Sequence, residues 1–388
     1  MTRQNAFRNT AIVIIGLMMA LALFEIILRL AYGDMYRKRP EFFLADDELG
    51  WKPSANLDHT FYGPDFKIDI RTDNEGNRLG TLGETDLSKG LVILCGDSYI
   101  FGWGVSTNET CCSYLDELLS DASNRNLRVL NLGATGFGTL QYYYRLKQFL
   151  KRHREVRIAA IIVAHAHNDA VDNIKSVGYH LDLWNTRNRN NKAKSPFHIV
   201  NFISYSVDGI RSERAPRADR YEASVEREPH LRDVLLVHEL NMHEKKFPST
   251  VEFDGHIVSF MDISEEDYSI GRTIERESLT TLQRDLILVG IDFIHYMTSH
   301  RNMKIFHLTV PTTPGWYIGE MNEILNQSNP SQGNEVVNLG QFPGMTDFTE
   351  DAINDHSGGH YTPAFNRYWA YKLLEILLEH GIVRRQSY

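Results

Sequence analysis

Ser98 follows the apolar run LVILC (91–95) by way of Gly96-Asp97, and the chain then returns at once to aromatic and glycine-rich sequence, YIFGWG (99–104). A serine at that point is either the N-cap of a helix, which its hydroxyl suits well, or a nucleophile. Nucleophilic use needs a base to take the hydroxyl proton, an acid to orient that base, and donors for the oxyanion that develops. Each part has a candidate at another strand end. His360, within NDHSGGHYTPAFNRYWA (354–370), is the candidate general base, and Asp355 the carboxylate that would hold its tautomer. The oxyanion would meet the N–H groups of Ser98 and Gly136 and the side-chain amide of Asn168. Gly136 lies in NLGATGFGT (131–139), whose glycines let backbone N–H groups approach a ligand closely. Asn168 lies in HAHNDAVDN (165–173). Together these residues would support acyl transfer through an acyl-Ser98 intermediate, with no cofactor.

The same stretches hold a competing chemistry. His165 and His167 are two apart, and on a strand such residues point to one side. With Asp355, His356 and His360 they form a ligand set acceptable to zinc or iron, hence a metal-dependent hydrolase. Asp97 reads as a tie from the turn to neighbouring backbone, and Asp169 as a cap for the following helix. Trp103 and Tyr142 to Tyr144 are either core or the lining of a sugar or acyl site.

These residues must be positioned by strands and helices. LVILC (91–95), RVLNL (128–132), IAAIIVA (158–164) and KIFHLTV (304–310) are apolar runs of strand length, the pattern of strands buried on both faces of a parallel sheet. Ligands of such sheets bind at the carboxyl ends of the strands, where Ser98, Gly136 and Asn168 fall, with Asp355 and His360 downstream of the fourth run. Leu279, Leu282, Leu286, Val289, Phe293 and Met297 recur at helical spacing. Thr362-Pro363 opens a closing helix with Phe365, Trp369, Leu373 and Ile376 on one face. Residues 34–90 read as a small β-rich leader, an antiparallel flap before the main domain at 91–388. Residues 176–278 are charged and broken, and read as an insertion into it.

The 388-residue chain carries a formal charge of −9, with 42% hydrophobic and 23% charged residues, so it can bury a core and shows no basic patch for a nucleic acid. Its three cysteines are too few for a disulfide framework. Residues 1–33 read as a membrane anchor, because Ala11 to Tyr32 is almost wholly apolar and about 20 such residues cross a bilayer as a helix. Glu25 and Arg29 interrupt it four apart, on one helical face, where they can pair. Basic residues flank the span on both sides, so charge leaves its orientation open.

Gly96-Asp97-Ser98, N-x-G-x-x-G at 131–136, Asn168-Asp169 and a carboxylate followed by His360 resemble the four blocks of the SGNH, or GDSL-type, hydrolases, over 91–173 and 304–378. That resemblance implies a flavodoxin-like three-layer α/β/α sandwich around a central parallel sheet, a carboxylic ester hydrolase, and the roles given above to Ser98, Gly136, Asn168 and His360. The short distance from His360 to the closing helix, with Ala370 ten residues on, favours it over His356. The chain departs from the family at the acid. Ser357 and Gly358 occupy the positions where a carboxylate usually stands, so either Asp355 reaches over the turn or a backbone carbonyl orients His360 in a dyad. ELGW (48–51) and DNEGNRLG (73–80) are similar to the leader of membrane-anchored bacterial members, which places the domain outside the cytoplasm. By the same analogy the substrate is a short-chain, acetyl-like ester of a cell-surface or extracellular carbohydrate; an O-acyltransferase and a catalytically idle carbohydrate-binding or assembly protein are the alternatives.

Overall fold

The computed structural model describes residues 3–31, 42–46, 49–62, 67–123, 125–176, 197–203, 250–253, 256–259, 278–298, 303–311, 313–328, 335–341, 353–354 and 360–383. Asp355 and His356, and most of the 176–278 segment, lie outside these residues.

The chain divides into two compact units, one of residues 1–41 with 184–229 and one of residues 42–183 with 230–388. In the first, helix α1 (Arg3–Ala31) is largely polar over its first two turns and then, from Ala11, built from apolar residues almost without interruption. Among the described residues it is the one helix long and apolar enough to cross a membrane, over Phe7–Ala31, and only 6% of its most apolar window is buried. Glu25 and Arg29 do pair, Nε to Oε1 at 2.7 Å. The Glu25 carboxylate also accepts the backbone N–H groups of His198 and Ile199, at 2.9 and 2.8 Å, at the start of the helical residues 198–203. Phe202 meets Phe24 edge to face.

The second unit is mixed α/β around a five-stranded sheet. Its strands are β5 (Gly90–Cys95), β6 (Leu127–Asn131), β7 (Ile158–His165), β10 (Lys304–Thr309) and β11 (Glu335–Gln341). They lie in the order β11-β10-β7-β5-β6, all pairs parallel. Counted along the chain this is 2-1-3-4-5, a doubly wound order in which the direction of winding reverses between the first and third strands. Every residue of β5 is buried, as are the last six of β7, which is why both read as unbroken apolar runs. The fifth strand, EVVNLGQ, has no such run. Among the described residues it pairs only with β10, at the sheet edge, and keeps partly exposed side chains, so burial imposes little on its composition.

One face of the sheet is covered by α3 (Cys111–Ala122) and by the closing helix α8 (Pro363–Glu379). Thr362 caps α8 by accepting the Phe365 N–H, Pro363 fills its first turn, and Phe365, Trp369, Leu373 and Ile376 are buried against Val92, Leu94, Ile162 and Phe306. On the other side α4 (Thr139–Arg152), α5 (Asp169–Ser176), α6 (Thr281–Thr298) and α7 (Gly315–Gln327) pack on one another. Helix α6 is buried well beyond the stripe expected of it: Ile287, Leu288, Ile291 and Ile294 are also inside, because three helices surround it.

The leader forms two antiparallel pairs, β1 (Phe43–Asp46) with β2 (Gly50–Pro53) and β3 (Asp58–Tyr62) with β4 (Lys67–Arg71); two further antiparallel pairs are β8 (Thr250–Phe253) with β9 (His256–Ser259) and β12 (Ile353–Asn354) with β13 (His360–Tyr361), and among these the leader pairs are the ones that follow α1 directly. The leader is built into the unit rather than hung in front of it. Phe61, Ile68 and Ile70 pack on Phe101, the buried Arg78 donates to the Val105 carbonyl at 2.8 Å, and Arg145 of α4 donates to the Glu75 carbonyl at 2.9 Å.

Candidate active site

Strand β5 ends at the point where the winding of the sheet reverses, and the chain turns there into the single helical turn α2 (Ser98–Phe101). Gly96 fits because a Cβ would stand 2.4 Å from Ile100 Cγ1, inside any permissible contact. The helical cap is Asp97, not Ser98: its Oδ1 accepts the Tyr99 N–H at 2.9 Å. The Ser98 hydroxyl is therefore not engaged as the cap. It lies 2.7 Å from His360 Nε2, across 262 residues of sequence, and 3.4 Å from Asp97 Oδ2. His360 opens the two-residue strand β13 (His360–Tyr361), two residues before the cap of α8, and its ring lies at a shallow angle to Tyr99, 5.0 Å between centroids. With a neutral imidazole, Nε2 accepts the serine O–H, the arrangement a general base requires.

The glycine turn is held by two partners. Asn131 at the end of β6 donates to the Ile100 carbonyl at 2.8 Å and accepts the Gly133 N–H at 2.9 Å, joining this turn to the one bearing Ser98. Trp51 of the leader donates its indole N–H to the Thr135 carbonyl at 3.0 Å. Gly136 has φ of +73°, a conformation that glycine adopts freely, and a Cβ there would meet Trp51 at 3.3 Å. Nothing in the sequence marks Trp51 as a site residue, because its role is a hydrogen bond to a backbone 84 residues away.

Asn168 is half-buried, and its amide is already occupied: Nδ2 donates to Asp97 Oδ2 at 3.0 Å and to Asp172 Oδ2 at 2.8 Å. Burial pushes the Asp97 carboxyl up to about 6; the Tyr99 N–H and the Asn168 amide oppose that rise, and the Asp172 charge adds to it. Asp97 is thus both the cap of α2 and the tie that holds Asn168 next to Ser98.

The expected pairing of His165 with His167 does not form. β7 ends at His165, so His167 falls in the turn and the two-residue strand period no longer relates them. His165 is fully buried, with Nε2 2.9 Å from His307 Nδ1. Among the described residues no group of three or more His, Cys, Asp or Glu side chains could hold a metal ion. Asp169 is not the cap of α5 either; it is the first residue of that helix, fully buried, and accepts the Tyr142 hydroxyl at 2.6 Å. Tyr142 itself is core, while Tyr143 and Tyr144 are half-buried and face Lys147. Cys95, Cys111 and Cys112 are buried free thiols.

Among the described residues the arrangement supplies a hydroxyl and a base in hydrogen-bond contact at a strand end, a glycine turn in a left-handed conformation, and an amide pinned between carboxylates. Compared with known proteins, the chain is matched by no family model and by no curated protein.

Proposed function

We propose that this protein is a serine ester hydrolase of the SGNH type, working through an acyl-Ser98 intermediate. The observation that carries the reading is the 2.7 Å contact between Ser98 Oγ and His360 Nε2 at the reversal point of the sheet. His360 takes the proton as Ser98 attacks the ester carbonyl, then returns it to the leaving alcohol; water, activated by the same ring, releases the acid and restores the serine. The N–H groups of Ser98 and Gly136 and the amide of Asn168 receive the oxyanion. For Asn168 this means turning one N–H away from Asp97 or Asp172, so its contribution arises in the transition state. Asp355 orients His360 in this scheme. The substrate is a short-chain, acetyl-like ester on a cell-surface or extracellular carbohydrate, with α1 as the membrane anchor and the α/β unit outside the cytoplasm, as in the membrane-anchored hydrolases its motifs resemble.

The test uses the full-length protein in detergent with p-nitrophenyl acetate and a fluorophosphonate probe, beside Ser98→Ala and His360→Ala. Turnover and labelling by the wild type, lost in both variants, are the expected result. A wild type that neither turns over nor labels removes the proposal. Activity that survives Ser98→Ala but not a chelator assigns the chemistry to a metal instead, and transfer of the acetyl group to an added sugar in preference to water makes the enzyme an acyltransferase.

A further inference from the structure

Behind the site lies a chain of polar side chains that this mechanism does not use. His295 of α6, His307 of β10 and His165 of β7 are each fully buried, with His295 Nε2 2.9 Å from His307 Nε2 and His307 Nδ1 2.9 Å from His165 Nε2. His165 Nδ1 faces Asp169 Oδ2 at 3.6 Å, and Asp169 Oδ1 accepts the Tyr142 hydroxyl at 2.6 Å. That hydroxyl also stands 3.4 Å from the Phe137 carbonyl. The three rings are thus hydrogen-bonded in a line that ends against Asp169, just beyond hydrogen-bond distance from it, and Asp169 holds Tyr142: five buried side chains on five elements.

We propose that His295, His307, His165, Asp169 and Tyr142 are positioning residues that fix the separation of the Gly136 turn and Asn168, the two oxyanion donors supplied from outside the Ser98 turn. The inference rests on the hydrolase reading above. Its end points make the case. Asp169 is the residue after Asn168, and Phe137 the residue after Gly136, so the Tyr142 hydroxyl bridges the two segments one residue from each donor. A neutral imidazole has one donor and one acceptor nitrogen, and His307 uses both, so the chain holds together in only one direction at a time. Packing alone does not call for it: Ile161, Val163 and Ile305 fill the same strands with hydrocarbon, and a buried polar chain is seldom better for stability than apolar residues of its shape. Nor is it a metal site. The ring nitrogens meet in pairs along a line instead of converging on one point, as ligands of a tetrahedral ion must.

Tyr142→Phe removes one hydroxyl and keeps the ring. With p-nitrophenyl acetate it should lower kcat by about tenfold to a hundredfold with KM within about twofold, and slow fluorophosphonate labelling by the same factor. His307→Leu should act likewise, and His307→Gln, which can again donate and accept, should recover part of the loss. A folded Tyr142→Phe with wild-type kcat, or with KM rising in proportion to any loss, overturns the inference while leaving the hydrolase reading intact. A wild type that fails to label removes both. Nitrogen-15 spectra of the wild-type histidine rings give a readout free of any variant: neutral rings at pH 7 for these three are required, and a cationic ring among them overturns the chain.

Discussion

Asp97 sits at the centre of the residue-scale energetics, because it must serve as an acceptor while buried beside other carboxylates. Its folded-state value of about 6 lies above that of the unfolded chain, so its protonated form favours folding. That contribution is complete below the unfolded value and is lost as pH rises through about 6, leaving a cost on the order of 3 kcal/mol at pH 8. Asp97→Asn keeps a carbonyl for the Tyr99 N–H and removes the ionisation. Relative to wild type, its urea midpoint should therefore improve from pH 4 to pH 8 by the equivalent of about 2 kcal/mol; a difference that does not change with pH would refute the buried ionisation. Its activity should nevertheless fall, since the amide can no longer hold Asn168 by charge. Removal of the amide, Asn168→Ala, should lower kcat by about a hundredfold or more with little change in KM. The residue types at this site were legible because three of the four stretches stand directly after apolar strands, and the fourth opens the closing helix. The direction of the Asn168 amide was not, because it is set by Asp97 and Asp172, one of them 71 residues away.

At the scale of elements, the sheet was readable wherever burial was total. β5, β6, β7 and β10 announce themselves as apolar runs, while β11 does not, since an edge strand is not required to be apolar. The histidine chain was hidden for the opposite reason. His307 sits inside KIFHLTV, where a single polar residue in a buried strand gives no sign of a partner on another strand and a helix. Those rings make a second pH effect, of opposite sign. Burial holds His165 down to about 3 and His307 well below its ordinary range, with Asp169, Tyr142 and His295 as the groups facing them. The unfolded chain therefore binds protons below about pH 6.5 that the folded chain refuses, and the His165 ring should cost about 2 kcal/mol of stability by pH 5, with His307 acting in the same direction. In His307→Leu one such ring is gone, so its unfolding midpoint should depend less on pH between 5 and 7 than that of wild type; an equal slope would mean the ring is already charged in the folded protein. The leader acts at this scale too. Trp51→Phe deletes the hydrogen bond to the Thr135 carbonyl while preserving the aromatic contact with Phe137, and should lower kcat more than it raises KM.

For the whole molecule the organising fact is a 29-residue helix, apolar from Ala11 onward, in the same chain as an α/β unit most of whose described apolar residues are inside. Phe7, Ile14, Met18 and Leu30 are all more than half exposed on α1, an amount of apolar surface that water does not tolerate on a monomer and that a bilayer covers at no cost. Within that surface Glu25 is an exception that the local structure explains: its carboxylate meets Arg29 one turn on and two backbone N–H groups of residues 198 and 199. A carboxylate so supplied with donors can sit near the edge of a bilayer, where an isolated one would be expelled. Full-length protein should therefore sediment with membranes, remain there through high salt and alkaline carbonate, and be released by detergent; release by salt alone would show that α1 lies on a surface instead of crossing it. With Glu25→Leu the membrane attachment should persist, because the helix becomes more apolar, while residues 198–203 lose the acceptor of their first N–H groups and become a faster site of proteolytic cleavage. A reporter fused after Tyr388 that is active only outside the cytoplasm would place the α/β unit there, and activity only inside would overturn the proposed cell-surface substrate.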